Sequence, residues 1–365
     1  MRNIYFISLA ILIISCSKPK QYNNNLETSY LPKYAKGFVI SQQNGAKLLG
    51  LIQNKDTMFY ELLPKNSVAK TSFEKIITPI TSIVPTSSSF IAFLEALQVD
   101  QSIVGFPNFN YISSDKTYQR ALLGELTELG ENNQLNIESL IKTQPDLLMT
   151  FSIQGGIQGE QIIKDSGIQV IYNGDWLEQH PLGRAEWIIV YGALYDKMNF
   201  AQGFFKQRQS DYNASKKDII DPKKTMISGS IFQGVWYSPG ANSYTAKLYK
   251  DAGLSYVFRD DPGNGSLSLD PEYVLYHGKN AEFWFAPDSS KSLDHLKQQN
   301  KLYKQFKAVK EGNVFSYALK TGKSGAFQFF DQAALYPDRV LQDLIYWSSN
   351  PSKSDYEPHY FKRLE

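Results

Sequence analysis

Residues 80–97 read ITSIVPTSSSFIAFLEAL and contain a short strand, a turn and an amphipathic helix in direct succession. The β-branched run over residues 80–85 predicts a strand. The hydroxyl side chains of residues 86–89 suit a helix N-cap. Helical spacing then relates the apolar residues Phe90, Phe93, Leu94 and Leu97. A strand followed directly by a helix predicts the first unit of an α/β fold.

The same alternation continues on both sides of this stretch. Further strands are predicted at 102–105, 147–151 and 169–172, and helices at 137–142 and 160–165. A second α/β pattern begins with a predicted strand at 225–229 and ends with an amphipathic helix at 338–347. Upstream, Asn44-Gly45 between two apolar runs predicts a hairpin.

This pattern predicts an α/β fold of two lobes, each with a central parallel sheet, joined by one long, largely polar α-helix. We assign residues 34–198 to the N-terminal lobe, 199–217 to the linking helix, 218–348 to the C-terminal lobe and 349–365 to a tail.

Composition excludes several classes of protein. The chain has 365 residues, 42% of them hydrophobic and 20% charged, which is typical of a folded globular protein. Its net charge of +2 does not indicate a nucleic-acid binder. A single cysteine excludes an intrachain disulfide framework and a multi-thiolate metal site.

That cysteine, Cys16, follows an N-terminal segment typical of a secretory signal, with a basic Arg2 and a short apolar run over residues 4–14. The sequence over residues 13–16, IISC, resembles a bacterial lipobox. The resemblance implies that residues 1–16 are a lipoprotein signal ending at a lipidated Cys16, with polar residues 17–33 as a tether. A simple secretory signal with an incidental buried cysteine is the alternative.

Common catalytic motifs are missing from the sequence. The four histidines are scattered, and neither an H-E-x-x-H nor a G-x-S-x-G motif occurs. Gly322-Lys323-Ser324 resembles the end of a phosphate loop, but Tyr317 occupies the position of its first glycine. We therefore predict that the protein is not an enzyme, and we expect neither a cofactor nor a metal held by the protein itself.

Several segments together resemble the periplasmic substrate-binding lipoproteins of iron-complex and cobalamin ABC importers. They are IVPTS with FLEAL (83–97), LNIESL with QPDLL (135–148), LSLDPEYVL (267–275), FKAVKEGNVF (306–315) and PDRVL (337–341). The resemblance implies two Rossmann-like lobes bridged by one rigid helix, a monomer, and a ligand held in the cleft.

Glu138 and Glu272 occupy matching places near the starts of two predicted helices, one in each lobe. The resemblance implies that they dock onto the two permease subunits of an ABC importer in the cytoplasmic membrane. A helix N-terminus also favours a carboxylate by itself, so an ordinary capping or solvated charge is the alternative.

The expected ligand cleft lies at the C-terminal ends of the strands, where aromatic residues are frequent. Residues 233–244, QGVWYSPGANSY, have the composition of a binding loop. Arg259, Lys320 and Lys323 are candidate cations for an anionic ligand, and each is also an ordinary surface cation. The predicted ligand-binding residues are Phe109, Tyr111, Phe151, Trp176, Trp236, Tyr237, Tyr244 and Arg259.

The resulting prediction is a lipid-anchored binding protein on the periplasmic side of a bacterial membrane. It captures a metal chelate, either an iron complex (ferric siderophore or haem) or, as the first alternative, a corrinoid such as cobalamin. A second alternative is an anchored extracytoplasmic hydrolase, and a third is an interaction lipoprotein that has lost its ligand.

Overall fold

The computed structural model describes residues 27–53, 56–131, 134–151, 156–216, 224–349 and 355–365. Cys16, the signal and most of the tether lie outside these residues. The first described element is a five-stranded sheet in the order β1-β2-β3-β4-β5, antiparallel except for β4 and β5. Its strands are β1 (Glu27–Tyr30), β2 (Phe38–Gln43), β3 (Ala46–Gln53), β4 (Asp56–Pro64) and β5 (Glu74–Thr78).

Two sequence predictions meet this sheet. The hairpin at Asn44-Gly45 is confirmed, because both residues have positive φ angles, 52° and 73°, and join β2 to β3. The predicted tether is corrected, because residues 27–30 form β1 and pair with β2. No strand was predicted for this polar segment, although β1 forms one edge of the sheet.

The N-terminal lobe contains a parallel three-stranded sheet in the order β12-β11-β6. The strands of the whole lobe are β6 (Ile83–Pro85), β7 (Gly105–Phe106), β8 (Thr127–Glu128), β9 (Gly130–Glu131), β10 (Gln134–Leu135), β11 (Leu147–Thr150) and β12 (Gln169–Tyr172). Its helices are α1 (Ser88–Ala96), α2 (Asp115–Leu122), α3 (Ile137–Thr143), α4 (Glu160–Asp165), α5 (Pro181–Glu186) and α6 (Ile188–Leu194).

The long helix α7 (Met198–Ser215) follows the N-terminal lobe and agrees closely with the predicted linking segment. Its buried side chains, Ala201, Phe205 and Tyr212, are few for its length. Arg208 pairs with Asp338 of the C-terminal lobe at 2.7 Å, and Gln209 donates to Tyr34 at 2.9 Å. The helix therefore contacts both ends of the described chain.

The C-terminal lobe contains a second parallel sheet in the order β16-β13-β18-β19, with β20 added antiparallel at one edge. The strands of the whole lobe are β13 (Thr225–Ser228), β14 (Ser230–Phe232), β15 (Val235–Pro239), β16 (Ser255–Tyr256), β17 (Ser266–Leu269), β18 (Phe283–Phe285), β19 (Val314–Ser316) and β20 (Lys362–Arg363). Its helices are α8 (Tyr244–Asp251), α9 (Pro271–Gly278), α10 (Leu293–Gln299), α11 (Lys307–Lys310), α12 (Gln328–Gln332) and α13 (Pro337–Ser348). The predicted α/β fold with parallel sheets is confirmed.

The tail packs onto the C-terminal lobe over its described residues 355–365. Tyr360, Phe361 and Leu364 are buried, and β20 pairs with β19. Asp343 of α13 accepts hydrogen bonds from the backbone N–H groups of three tail residues. The described part of the tail thus belongs to the C-terminal lobe, which the sequence analysis ended at residue 348.

Candidate functional site

A cleft between the two lobes contains two adjoining cavities that share Ser87, Ser88 and Phe330. The first, which we call the Arg184 cavity, has a volume of about 540 Å³. The second, the Asp331 cavity, has a volume of about 610 Å³. Both volumes lie in the range of small-molecule binding sites.

Hydroxyl groups, an amide and aromatic rings from both lobes line the Arg184 cavity. The N-terminal lobe supplies the first turn of α1, Trp176 and Arg184. The C-terminal lobe supplies β15, the first turn of α8 and residues 264–266, together with α12. The first turns of α1 and α8 both line the cavity, so two helix N-termini face the same space.

Arg184 is held in place by contacts on two sides. Its Nε and Nη2 donate to one carboxylate oxygen of Asp175, at 3.1 and 2.8 Å. The guanidinium also lies 4.6 Å from the centre of the Tyr244 ring of the opposite lobe. Because the Asp175 side chain is only 2% exposed, the two opposite charges form a largely desolvated pair.

Asp331 of α12 links the lobes at the second cavity. Its carboxylate accepts hydrogen bonds from the backbone N–H of Ser113, at 2.8 Å, and from the Ser113 hydroxyl. Burial raises the pKa of the Asp331 carboxyl, although the hydrogen bonds from Ser113 and Ser88 oppose this change. A carboxyl group, ionised or neutral, thus faces this cavity.

Further contacts join residues 322–331 of the C-terminal lobe to residues 112–115 of the N-terminal lobe, and we call this set the interlobe clasp. The Lys323 N–H donates to Asp115 at 2.8 Å, and the Ser324 hydroxyl donates to the Ile112 carbonyl at 2.6 Å. A Cβ atom at Gly322 would collide with the Ser113 carbonyl. The backbones therefore approach so closely that only glycine fits.

Five of the eight predicted ligand-binding residues line the cleft. Trp176, Tyr237 and Tyr244 face the Arg184 cavity, and Tyr111 and Phe151 face the Asp331 cavity. The structure thus brings together residues from both lobes that are as much as 133 positions apart in sequence, the interval from Tyr111 to Tyr244. Phe109 packs against the core and lines neither cavity.

Trp236 and Arg259 are corrections. The segment predicted to be a binding loop contains strand β15, and alternation along a strand sends consecutive side chains to opposite faces. Tyr237 faces the cleft, whereas Trp236 is fully buried and stacks on Trp284 at 5.3 Å. Arg259 lies outside both cavities, donates to the Ser255 hydroxyl and has an exposed side chain.

The sequence interpretation missed several lining residues. Arg184 and Asp331 gave no local signal, because each lies in a helix with no motif around it. The residues AFQFF at 326–330 are an unusually aromatic run, and Phe327, Phe329 and Phe330 all line the cleft. That run was a usable signal for the binding region.

Glu138 and Glu272 occupy the same helical position in the two lobes. Asn136 caps α3 and Asp270 caps α9 through side-chain oxygens, so each glutamate is the second residue of its helix. Both glutamates are exposed. Their placement predicted from the sequence agrees with the structure, and their role remains a prediction.

No group of three or more histidine, cysteine, aspartate or glutamate side chains is arranged to hold a metal ion within the described ranges. In that same part of the chain, no helix has the length and apolar character needed to cross a membrane.

Comparison with known proteins gives consistent matches. A family model described as periplasmic binding protein matches residues 83–319. An uncharacterized lipoprotein of Methanocaldococcus jannaschii is 30% identical over 339 residues, which cover 88% of this chain and 77% of that protein.

Solved structures share the fold at low sequence identity. The triscatecholate siderophore binding protein of Bacillus subtilis, complexed with ferri-bacillibactin, has a TM-score of 0.57 at 18% identity, covering 82% of this chain and 98% of that one. An ABC-type Fe3+-hydroxamate transport protein from Saccharomonospora viridis has a TM-score of 0.56 at 17% identity, covering 83% and 99%.

Proposed function

The chain belongs to the periplasmic binding protein family, and from that premise we propose that it captures an iron complex and delivers it to the membrane permease of an ABC importer. The observation that carries this proposal is a continuous cleft lined by both lobes, with aromatic walls on each side. Flat aromatic surfaces suit a large, ring-bearing and partly apolar chelate. The structural neighbours whose descriptions name iron complexes support the same choice.

The proposed location is the periplasmic side of a bacterial membrane, with a lipid on Cys16 as the anchor. The lipobox-like sequence at residues 13–16 supports the lipid anchor, as does a relative described as a lipoprotein. The polar composition of residues 17–26, which lie between Cys16 and β1 in the sequence, is typical of a tether.

Ligand capture is tested by titrating the purified protein with ferric siderophores, haem and cyanocobalamin while following tryptophan fluorescence. We expect saturable binding of an iron complex, since Trp176 lines the cleft. Binding of cyanocobalamin alone would favour the corrinoid alternative. Binding of none of these compounds would contradict the proposal.

A pair of variants locates the binding site. Phe330→Ser removes a half-exposed ring shared by both cavities, so ligand affinity is expected to fall about tenfold or more. Phe200→Ser is the matched control, because Phe200 is similarly exposed but lies on α7 outside both cavities. Equal effects of the two changes would place the ligand elsewhere.

Permease docking through Glu138 and Glu272 forms the second part of the proposal. Two carboxylates at equivalent places on both lobes suit a two-point contact with a symmetric partner. Glu138→Lys with Glu272→Lys should abolish uptake without changing ligand affinity. The control is the double variant Asp165→Lys with Asp294→Lys, which likewise reverses one exposed carboxylate in each lobe and should leave uptake unchanged. Normal uptake by the first double variant would refute docking at these residues.

A further inference from the structure

The charges that line the cleft are few and nearly balanced. Arg184 is the only basic side chain among the described lining residues, and the largely buried Asp175 already pairs with it. Asp331 adds a carboxyl group on the other side of the cleft. Within the part of the chain that the structure describes, these two cavities therefore have no unpaired side-chain cation, and Lys33, Lys36 and Lys247 line a third cavity that shares only Ser243 with the Arg184 cavity.

The other candidate cations lie away from the ligand space. Lys320 pairs with Glu357 at 3.4 Å, and neither Lys323 nor Arg259 lines a cavity. Residues 152–155, which follow Phe151 in the sequence, read SIQG and contain no charged residue. No basic residue in that segment can supplement Arg184.

The remaining polar groups are neutral dipoles. The Arg184 cavity is lined by the hydroxyl-bearing residues Ser87, Ser88, Ser89, Ser238, Ser243, Thr245 and Ser266 and by the amide of Asn264. The first turns of α1 and α8 each carry about half a positive charge, which suits partly negative oxygens such as carbonyl or hydroxamate groups.

We propose that the cleft selects a metal chelate whose net charge is close to zero, such as a ferric trihydroxamate, and discriminates against polyanionic chelates such as a ferric triscatecholate. This inference rests on the proposed function. A polyanion entering the cleft would lose hydration and meet a carboxyl group, with no unpaired cation to replace its water. The triscatecholate-binding neighbour shares the fold at 18% identity, so its ligand preference does not transfer to this chain.

The test measures dissociation constants of the full-length protein, in detergent, for four probes at low and physiological salt. Ferrichrome and cyanocobalamin represent uncharged chelates, ferric enterobactin carries three negative charges, and haem carries two propionates. We expect an uncharged probe to bind about 100-fold or more tightly than ferric enterobactin.

The outcomes separate this inference from the proposed function. If ferric enterobactin or haem binds as tightly as the uncharged probes, or more tightly, the charge preference is overturned. The assignment as an iron importer would not be affected by that result. Binding of cyanocobalamin alone would support the charge preference and overturn the iron assignment. If none of the four probes binds, both the charge preference and the proposed function are overturned.

Two variants test whether the lining charges set the preference. Asp331→Asn keeps an acceptor for Ser113 but removes the ionisable carboxyl group. The ratio between the dissociation constants of ferric enterobactin and of the uncharged probe should fall about tenfold. Asp294→Asn, an exposed change outside both cavities, should leave the gap unaltered.

Ser266→Lys covers the case in which Asp331→Asn fails to fold, because Ser266 is exposed at the edge of the Arg184 cavity. The new cation should strengthen ferric enterobactin binding about tenfold. Ser210→Lys adds the same charge on the exposed side of α7, outside both cavities, and should not. An unchanged affinity ratio in both cleft variants would overturn the inference.

Discussion

Three of the tryptophans show how burial separates structural from ligand-facing residues. Trp236 is fully buried between Trp284 and the rings of Tyr303 and Phe306. Trp176 is 37% exposed and lines the Arg184 cavity. The same residue type is therefore part of the core at one position and exposed to the cleft at the other.

Trp236→Ala should lower the free energy of unfolding by about 3–5 kcal/mol, because it leaves a large cavity in a close-packed aromatic core. Trp176→Ala should change that free energy by less than about 1 kcal/mol and weaken ligand binding instead. Urea denaturation and ligand titration of both variants check this prediction. It is wrong if Trp176→Ala is the more destabilising change.

His180 gives folding a pH dependence. Its Nδ1 accepts a hydrogen bond from the Leu182 N–H at 3.1 Å, so the neutral ring caps α5. Burial, followed by the nearby Lys247, lowers the pKa of His180 to about 4, against about 6.5 in an unfolded chain. Between these values only the unfolded chain binds the proton strongly, so this contribution is complete above pH 6.5 and is lost as the pH falls to 4.

His180→Asn should remove this pH dependence, because asparagine caps a helix without titrating. Between pH 6.5 and 4 the wild type should lose about 2 kcal/mol more stability than the variant, after allowance for partial exposure of the ring. Buried Asp331, Asp338 and Asp343, whose pKa values burial raises, act in the opposite direction in both proteins and cancel in the difference. Parallel pH profiles of the two proteins would show that His180 has no such role.

At the scale of elements, the tail depends on one residue of α13. Asp343 is fully buried and accepts hydrogen bonds from the Tyr356 hydroxyl at 2.5 Å and from the N–H groups of His359, Tyr360 and Phe361 at 2.8, 2.6 and 3.0 Å. This carboxyl group positions the segment that continues into β20.

Asp343→Ala should destabilise the protein by about 3–5 kcal/mol, because it leaves buried N–H donors without an acceptor. Asp294→Ala, at an exposed position of α10, should stay within about 0.5 kcal/mol of the wild type. Thermal and urea unfolding measure both changes. Limited proteolysis should also cut the tail faster in Asp343→Ala, and unchanged cleavage would contradict a tail held by this residue.

Element types were predictable where local patterns are strong. The strand and helix of residues 80–97 and the Asn44-Gly45 hairpin follow from short-range preferences. Part of the loop predicted over residues 233–244 is instead strand β15, because glycine and proline are also compatible with a hairpin between short strands, whereas Tyr237 and Tyr244 of this segment do line the cleft. Only pairing with β14 and β17 makes residues 235–239 a strand.

For the whole molecule, the linking helix and the interlobe clasp limit relative motion of the lobes. α7 is continuous from Met198 to Ser215, and the clasp adds direct hydrogen bonds across the cleft. We expect the radius of gyration in solution scattering to change by less than about 1 Å on ligand binding. A larger compaction would indicate a hinged protein.

Gly322→Val provides a comparison for this measurement. The added side chain cannot fit against Ser113, so the clasp should open in the ligand-free protein and the radius of gyration should increase. Lys323→Ala, which retains the backbone N–H donor at residue 323, should behave like the wild type. If Gly322→Val leaves the ligand-free size unchanged, the clasp does not hold the lobes together.

The sequence by itself determined the two-lobed α/β fold, the position of the long helix and the helical placement of Glu138 and Glu272, because these depend on short-range periodicity and caps. Only the tertiary structure decided which aromatic residues face the cleft. It also decided that Arg184 is the basic residue lining the two cavities in the described part of the chain, and that Asp331 bonds to the opposite lobe. These properties arise from contacts between residues distant in sequence. No local pattern specifies which partner neutralises a charge or which face of a strand is covered.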